Sequence, residues 1–495
     1  MADKQHFLSR FLDFKEDEHW LFAILTALVL GSIFGTILMD EVLFMGIPFF
    51  FLLVYWCVVD FKKVYFLLLF CIPLSTEFTL PNGFGTDLPT EPLMVGLMGV
   101  YLLYVFRHAG QMSSRFVRHP ISLLILLHLL WIYATTIYSN LFFVSFKFSL
   151  AKTWYIIVFY FMAGSILKKE KDWRNMFWII FLPMLLTIFS VLFKHAQEGF
   201  AFDKVNAVLD PFYRNHVNYA CILVLFFPFL WYARTWFKTF SFNWWFLLGG
   251  GLVYLVAIQL SYTRAAYVAL VLAAGAYFII RLRLIRYVLG LVLVGAVVGA
   301  IYMTVNNKYL EYAPNFERTI THRNFDNLVS ATYKGEDIST MERFYRWIAG
   351  AYMSFEEPLT GFGPGNFYNF YRSYTVTSFR TYVSDNPEKS GIHSYYLMTL
   401  SEQGYPGLVI FLLICFYGLI RGENIYHQTE NDFKKGLVMT ILLSMIVIDA
   451  LLLINDMIET DKVGSFFFIH LAILVNIDLS NRQEETSEPP SLKEA

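Results

Sequence analysis

Apolar runs of roughly 17–25 residues recur along almost the whole chain, and a helix needs a run of that length to cross the hydrocarbon layer of a membrane. Backbone immersed in lipid must satisfy every N–H and C=O internally, which leaves helices and closed barrels. Barrel strands alternate apolar and polar residues, whereas the runs here are continuous. Composition agrees with helices in lipid. The 495 residues are 57% hydrophobic and 16% charged, too little polar surface for a soluble chain of this length. The expected fold is all-α: a polytopic transmembrane helical bundle of about 12–14 spans with one long outer loop carrying short helices.

The spans are read at about 20–39, 42–59, 64–80, 92–106, 121–138, 149–167, 175–194, 215–233, 244–261, 265–280, 287–305, 394–420, 436–454 and 463–478. The third, fourth and tenth are short for a crossing. One alternating set of loops carries Lys62, Lys63, Arg107, Arg115, Arg118, Lys168, Lys169, Lys171, Arg174, Arg234, Lys238, Arg281, Arg283, Arg286, Arg421, Lys434 and Lys435. The short loops of the other set carry only Lys147, Lys204, Arg264 and Lys462. The positive-inside rule makes the first set cytoplasmic. Residues 1–19 are then a cytoplasmic N-terminal segment, 20–305 an N-terminal transmembrane bundle, 306–392 an outer loop and 393–478 C-terminal transmembrane helices. Residues 479–495, acidic and Pro/Ser-containing around Glu484–Pro490, are expected to form a disordered cytoplasmic tail. The first span reads as a retained signal anchor. Before it, Phe7, Leu8, Phe11 and Leu12 have the spacing of a short helix lying on the membrane.

Several function classes lose support at once. A net charge of -1 offers nothing to nucleic acid. Cys57, Cys71, Cys221 and Cys415 all lie inside apolar spans without metal spacing or a disulfide framework. No internal repeat of the kind common in secondary transporters is visible.

The polar segment 306–392 carries the candidate chemistry. Residues 341–357 have helical periodicity, with Phe344, Ile348, Ala351, Tyr352 and Phe355 on one face and Arg343 and Arg346 on its flank. Ser339 or Thr340 is expected to cap this helix and Pro358 to stop it. It reads either as an interfacial helix with snorkelling arginines or as part of a ligand site. Gly361, Gly363 and Gly365 are interrupted by Pro364 and lack the Lys-Ser/Thr of a phosphate loop. They fit a tight turn that is structural or that brings backbone to a ligand. The Tyr/Phe-rich stretch 366–382 suits sugar rings and a membrane interface equally. Arg214, Arg264, Arg343 or Arg346, and His393 all sit at or near the outer face. Arg264 lies in the short connection Ser261–Ala266, where it needs a counter-charge, and no carboxylate is adjacent in sequence. A lipid diphosphate would supply one, and so would ordinary headgroups. His393, at the start of a span, has the residue type to take a proton from a hydroxyl; the alternative is an interfacial hydrogen-bonding His. His195, His216 and His322 are weaker candidates by position. Glu402 falls about nine residues later, on roughly the opposite helix face.

The run Arg343…Trp347…Glu357-Pro-Leu-Thr-Gly-Phe-Gly-Pro-Gly-Asn-Phe367…His393-Ser-Tyr-Tyr-Leu…Glu402-Gln-Gly-Tyr-Pro-Gly-Leu408 resembles the O-antigen ligase/polymerase superfamily of bacterial membrane glycosyltransferases. Ser261-Tyr-Thr-Arg-Ala-Ala266 is similar to that family's Ser-x-Ser-Arg hairpin, with Thr at the second Ser position. His-Ser stands where His-Asn is more usual, and the family's span count is commonly near twelve. The resemblance implies a multi-pass protein of the bacterial inner membrane whose outer loop is periplasmic. It implies transfer of a glycan from undecaprenyl diphosphate to an acceptor hydroxyl, with inversion and with no cofactor, metal or nucleotide. Arg214, Arg264 and one of Arg343/Arg346 would hold the diphosphate, and His393 would act as base or position the acceptor. Gly363, Gly365, Asn366, Tyr395 and Glu402 would be acceptor-contacting or structural. The acceptor would be lipid A-core for a ligase, a second lipid-linked glycan for a polymerase, or a protein Ser/Thr for an oligosaccharyltransferase; ligase-like transfer is the favoured expectation. A lipid or solute transporter is the competing class, but the notable charges cluster at one face rather than mid-span.

Overall fold

The computed structural model describes residues 14–39, 44, 46–79, 85–108, 114–313, 337–381, 383–386 and 390–487. The chain divides into two compact units, Met1–Met112 and Ser113–Ala495. Among the described residues nine helices, all in the second unit, are long and apolar enough to cross a membrane. The chain is all-α in class and a multi-pass membrane protein.

In the first unit, α1 is Phe14–Met39, α2 is Gly46–Cys71 and α3 is Thr90–Arg107. Between α2 and α3, β1 (Thr76–Thr79) pairs antiparallel with β2 (Gly85–Leu88), with Thr76 opposite Leu88. Two expected spans, 42–59 and 64–80, are therefore one interrupted helix followed by a hairpin strand. Asp60 breaks α2 with φ −151° and ψ 78°, and its carboxylate accepts from the Lys63 N–H at 3.3 Å. Past Cys71 the chain enters a short turn containing Pro73, and the β-prone, polar Thr76–Thr79 leaves the helix for the hairpin. The surface helix expected around Phe7–Leu12 lies outside the described residues.

The second unit holds α4 (Pro120–Ile137), α5 (Phe142–Ile166), α6 (Glu170–Gln197), α7 (His216–Ala233), α8 (Phe242–Leu260), α9 (Arg264–Arg281) and α10 (Ile285–Thr304). After these come α11 (Ile338–Glu356), α12 (Tyr395–Gln428), α13 (Asp432–Leu451) and α14 (Asp461–Ser487). Several starts are set by side-chain caps: the Asn215 Oδ1 accepts from Val217 N and Asn218 N, and the Asn431 Oδ1 from Lys434 N. α14 is apolar nearly all round, and 83% of its apolar window is buried, so it forms the core. The window of the segment containing α10 has 0% buried and lies at the periphery. α7 packs along α13 and α8, α9 along α13, and α12 along α4, α11 and α13.

At one end of this core the buried Asp478 carboxylate of α14 binds His119 Nε2 (2.9 Å), Arg421 Nε (3.2 Å) and Arg482 Nη2 (2.9 Å). α14 continues through Ser487, so residues 479–487 of the expected disordered tail are helical. Asn481 donates to Thr429 Oγ1 at 2.9 Å and Glu484 accepts from Lys434 Nζ at 2.6 Å, and these contacts hold the last turns. Residues 488–495 lie outside the described residues.

Within 306–392, α11 starts one turn earlier than its sequence pattern suggests. Its cap is Asp337, whose carboxylate accepts from the Thr340 N–H at 3.2 Å, rather than Ser339 or Thr340. The face turned into the protein is Met341, Tyr345, Ala349 and Met353, with Glu342 and Arg346 also buried. The face read from the periodicity is the more outward one: Tyr352 and Phe355 are exposed and Phe344, Ile348 and Ala351 are half-buried. Arg346 is buried in the protein and does not snorkel.

Candidate active site

The glycine turn is built on a break in α12. Pro406 has no N–H, so the Glu402 carbonyl four residues earlier has no helical donor. Gly404 (φ +69°) opens the helix at this point, and the Gly363 N–H takes that carbonyl at 2.9 Å. Phe362 N bonds Ser401 O at 3.0 Å, and Tyr405 N bonds Pro358 O at 2.8 Å. The Glu402 side chain then closes the turn, its two oxygens accepting from Gly365 N (2.8 Å) and Phe367 N (2.9 Å). Gly361 has φ +60°, and a Cβ there would stand 2.4 Å from the Glu402 carbonyl carbon. Gly363 has φ +91°, and a Cβ there would meet Ser139 Oγ at 2.3 Å. The buried Asn366 donates to Ser139 Oγ (2.8 Å), Ser145 Oγ (3.1 Å) and Phe362 O (3.0 Å). Gly363, Gly365, Asn366 and Glu402 thus lock the segment 358–367 onto α12 and the α4–α5 connection.

The same architecture presents His393. Residues 391–393 lie along α11: Arg346 Nη1 donates to Gly391 O at 3.2 Å, and Trp347 Nε1 donates to His393 O at 3.4 Å. Ile392 fills the space above Gly350, where a Cβ would come within 2.4 Å of its Cδ1. His393 itself has φ +55°, a conformation that costs a non-glycine residue about 1 kcal/mol or more. Ser394 caps α12, and Tyr395 N reaches Leu452 O (2.9 Å) and Asn455 O (3.0 Å). No hydrogen bond to the His393 imidazole is found among the described residues. Burial, then the charges of Arg343 and Arg346, depress its pKa from the ordinary 6.5 to about 3, so the ring is neutral.

Arg343 and Arg346 act electrostatically on this histidine and Arg264 acts on Arg343, and the three are unequally compensated. Arg264 Nη2 meets Asp337 Oδ2 at 3.0 Å, and Asp337 is almost fully buried. Arg346 meets Glu342 Oε2 at 3.4 Å, and Glu342 also accepts the Thr381 and Ser384 hydroxyls. Arg343 contacts only its own helix, at Ser339 Oγ (3.1 Å) and Ser339 O (3.5 Å), and forms no ion pair among the described residues. Its Nε is shut away from solvent without a partner. Burial lowers its pKa below the usual guanidinium value, Asp337 opposes that, and Arg264 and Arg346 add to it. An excess positive charge of this kind, partly desolvated, is chemically suited to an anion.

Arg214 is exposed, one residue before the α7 cap. With Arg346 it acts electrostatically on Asp456, whose carboxyl stands against Gly391. Burial and Glu459 raise the Asp456 pKa, and the two arginines pull it back. Beside it the buried Lys152 Nζ donates to Glu459 Oε1 (2.6 Å) and Tyr395 OH (3.3 Å), which ties α5 to the start of α12. His216 lies within electrostatic reach of Arg343 and Arg264, and its carbonyl accepts from Thr263 Oγ1 at 3.2 Å. His195 is buried, with Nε2 on Ala201 O at 3.1 Å. His322 lies outside the described residues. The carboxylates Asp337, Glu342 and Asp456 escaped the sequence reading. Asp337 carried a signal, since Asp three residues before Thr340 is a helix-cap spacing.

Residues 249–412 match the family model described as O-antigen ligase. That span contains Arg264, Arg343, Arg346, His393 and Glu402, while Arg214 and Asp456 fall outside it. The matched residues, about a third of the chain, are similar to that family. No curated protein matches the chain.

Proposed function

On the premise of that similarity, and of the family's glycan-processing role, we propose that this protein transfers a glycan from undecaprenyl diphosphate to an acceptor hydroxyl, in the manner of an O-antigen ligase. The observation that carries the reading is the pairing of an under-compensated Arg343 with a neutral imidazole at His393 that has no hydrogen bond among the described residues. In this reading Arg343 and Arg264, with Arg214 at the rim, hold the diphosphate and stabilise the charge that develops on it as the glycosidic bond breaks. Arg346, already bound to Glu342 and Gly391, positions the His393 strand. His393 takes the proton of the acceptor hydroxyl while the oxygen attacks the anomeric carbon, and undecaprenyl diphosphate leaves from the opposite face.

The low pKa of His393 fits this order of events. In the free protein burial, and after it the arginine charges, make the imidazole a weak base. A bound diphosphate would cancel those charges and raise the basicity of the ring when the acceptor arrives. The reaction belongs at the outer, periplasmic face of the inner membrane, where the basic loops of the opposite side leave the segment 306–392.

The test is a reconstituted assay with a polyprenyl diphosphate-linked glycan and three acceptors: lipid A-core, a second lipid-linked glycan, and a Ser/Thr-containing protein. Transfer to lipid A-core is expected. His393→Ala should lower transfer by about 10²–10⁴-fold, and Arg343→Ala by about 10²–10³-fold, with normal expression. Full activity of both variants would overturn the assignment; transfer to another acceptor would change its class.

A further inference from the structure

A second feature lies at the other end of the bundle. A cavity of about 720 Å³ opens between α7, α9 and α13, within the range of small-ligand sites. α7 contributes from Phe227 onward, α9 from Leu270 onward, and α13 only as far as Leu443. All three contributions come from the halves remote from His393, and the Arg281 end of α9 is about 25 Å from its Arg264 end. The floor is buried apolar surface, with Pro228, Ala273 and Met439. The outer wall is not buried: Trp231 is 59% and Phe278 62% exposed. The cavity therefore opens sideways, toward what surrounds the helices.

Charge at its mouth is net positive. Lys435 lines it, the Arg234 guanidinium lies 4.0 Å over the Trp231 ring, and the Arg281 guanidinium lies 5.3 Å over the Tyr277 ring. None of these three cations forms an ion pair among the described residues, and Asp432 is the one carboxylate in the lining. An apolar slot open to lipid, with net positive charge where α13 begins, matches a chain with an anionic head. The basic loops place this end at the cytoplasmic leaflet, which is rich in anionic lipid.

We propose that this cavity is a binding site for an anionic glycerophospholipid of the cytoplasmic leaflet, with one acyl chain in the slot and the phosphate among Lys435, Arg234 and Arg281. The site is separate from the glycan chemistry and does not rest on it. The test uses the full chain in mild detergent, titrated with dioleoylphosphatidylglycerol, dioleoylphosphatidylcholine or a polyprenyl phosphate. Thermal unfolding and native mass spectrometry are the readouts. Phosphatidylglycerol should raise the unfolding temperature and stay bound, and phosphatidylcholine should do neither. Lys435→Gln and Arg281→Gln should each weaken phosphatidylglycerol about fivefold. Ala274→Phe, on the exposed side of α9, should fill the slot and abolish binding. Should that variant fail to fold, the two mouth variants carry the test. Equal binding of both phospholipids, unchanged binding in the mouth variants or in a folded Ala274→Phe, or binding of the polyprenyl phosphate alone would overturn the proposal.

Discussion

His393 and Arg343 are informative as a pair because the Arg343 charge, after burial, holds the imidazole pKa down. The imidazole must be neutral to accept a proton, so activity falls as pH drops through its pKa. In the free protein that pKa is about 3, held down by burial and by Arg343 and Arg346. With diphosphate bound it should move back toward the ordinary 6.5. The acidic limb of kcat/KM, which reports free protein, should then lie at lower pH than the limb of kcat, which reports the complex. Arg343→Gln should move the free-protein limb upward by removing one of the two charges. Coincident limbs in wild type, measured over pH 4–8 with membrane integrity controlled, would show that His393 is not the titrating base. Asp337 teaches a complementary lesson. Arg264 looked like a cation without a partner because its counter-charge comes from 73 residues away.

The elements that hold the site do so through one interrupted helix. Pro406 and Gly404 break α12, and the freed carbonyls anchor the glycine turn that Glu402 then fastens with both oxygens. Glu402→Gln keeps the shape but points an NH2 at a backbone N–H. It should cost about 1–3 kcal/mol, read by thermal unfolding in detergent. Gly361→Ala should cost at least as much, since its Cβ would press on backbone at Glu402 and its φ is +60°. No loss in either variant would mean that the turn is not braced as described. α11 shows what a helical pattern alone leaves open. Tyr352 and Phe355 face outward while Met341, Tyr345 and Met353 face inward, and Gly350 packs against Ile392, beside which Arg346 reaches Gly391.

For the whole molecule the testable statement is sidedness. Ser373, in the segment 306–392, is exposed, and the four native cysteines are buried and free. Ser373→Cys should react with an impermeant maleimide added from outside the inner membrane, and not when the reagent is confined to the cytoplasm. The reverse pattern would invert the topology and remove the periplasmic reading of the site.

Membrane class, most helix positions and the basic-loop asymmetry were legible in the residues, because lipid imposes a length and a composition on any helix that crosses it. The arginines, His393 and the glycine turn were legible as motifs. Their division of labour was not. Which arginine is compensated depends on Asp337 and Glu342, and Glu402 seemed misplaced until the break at Gly404 brought the turn to it. Two expected spans merged at Asp60, and the tail stayed helical through Ser487 because Lys434 and Thr429 reach it. Local pattern fixes what each segment must be in lipid. Which charge meets which is decided by pairings between distant segments, and those exist only once the helices are packed.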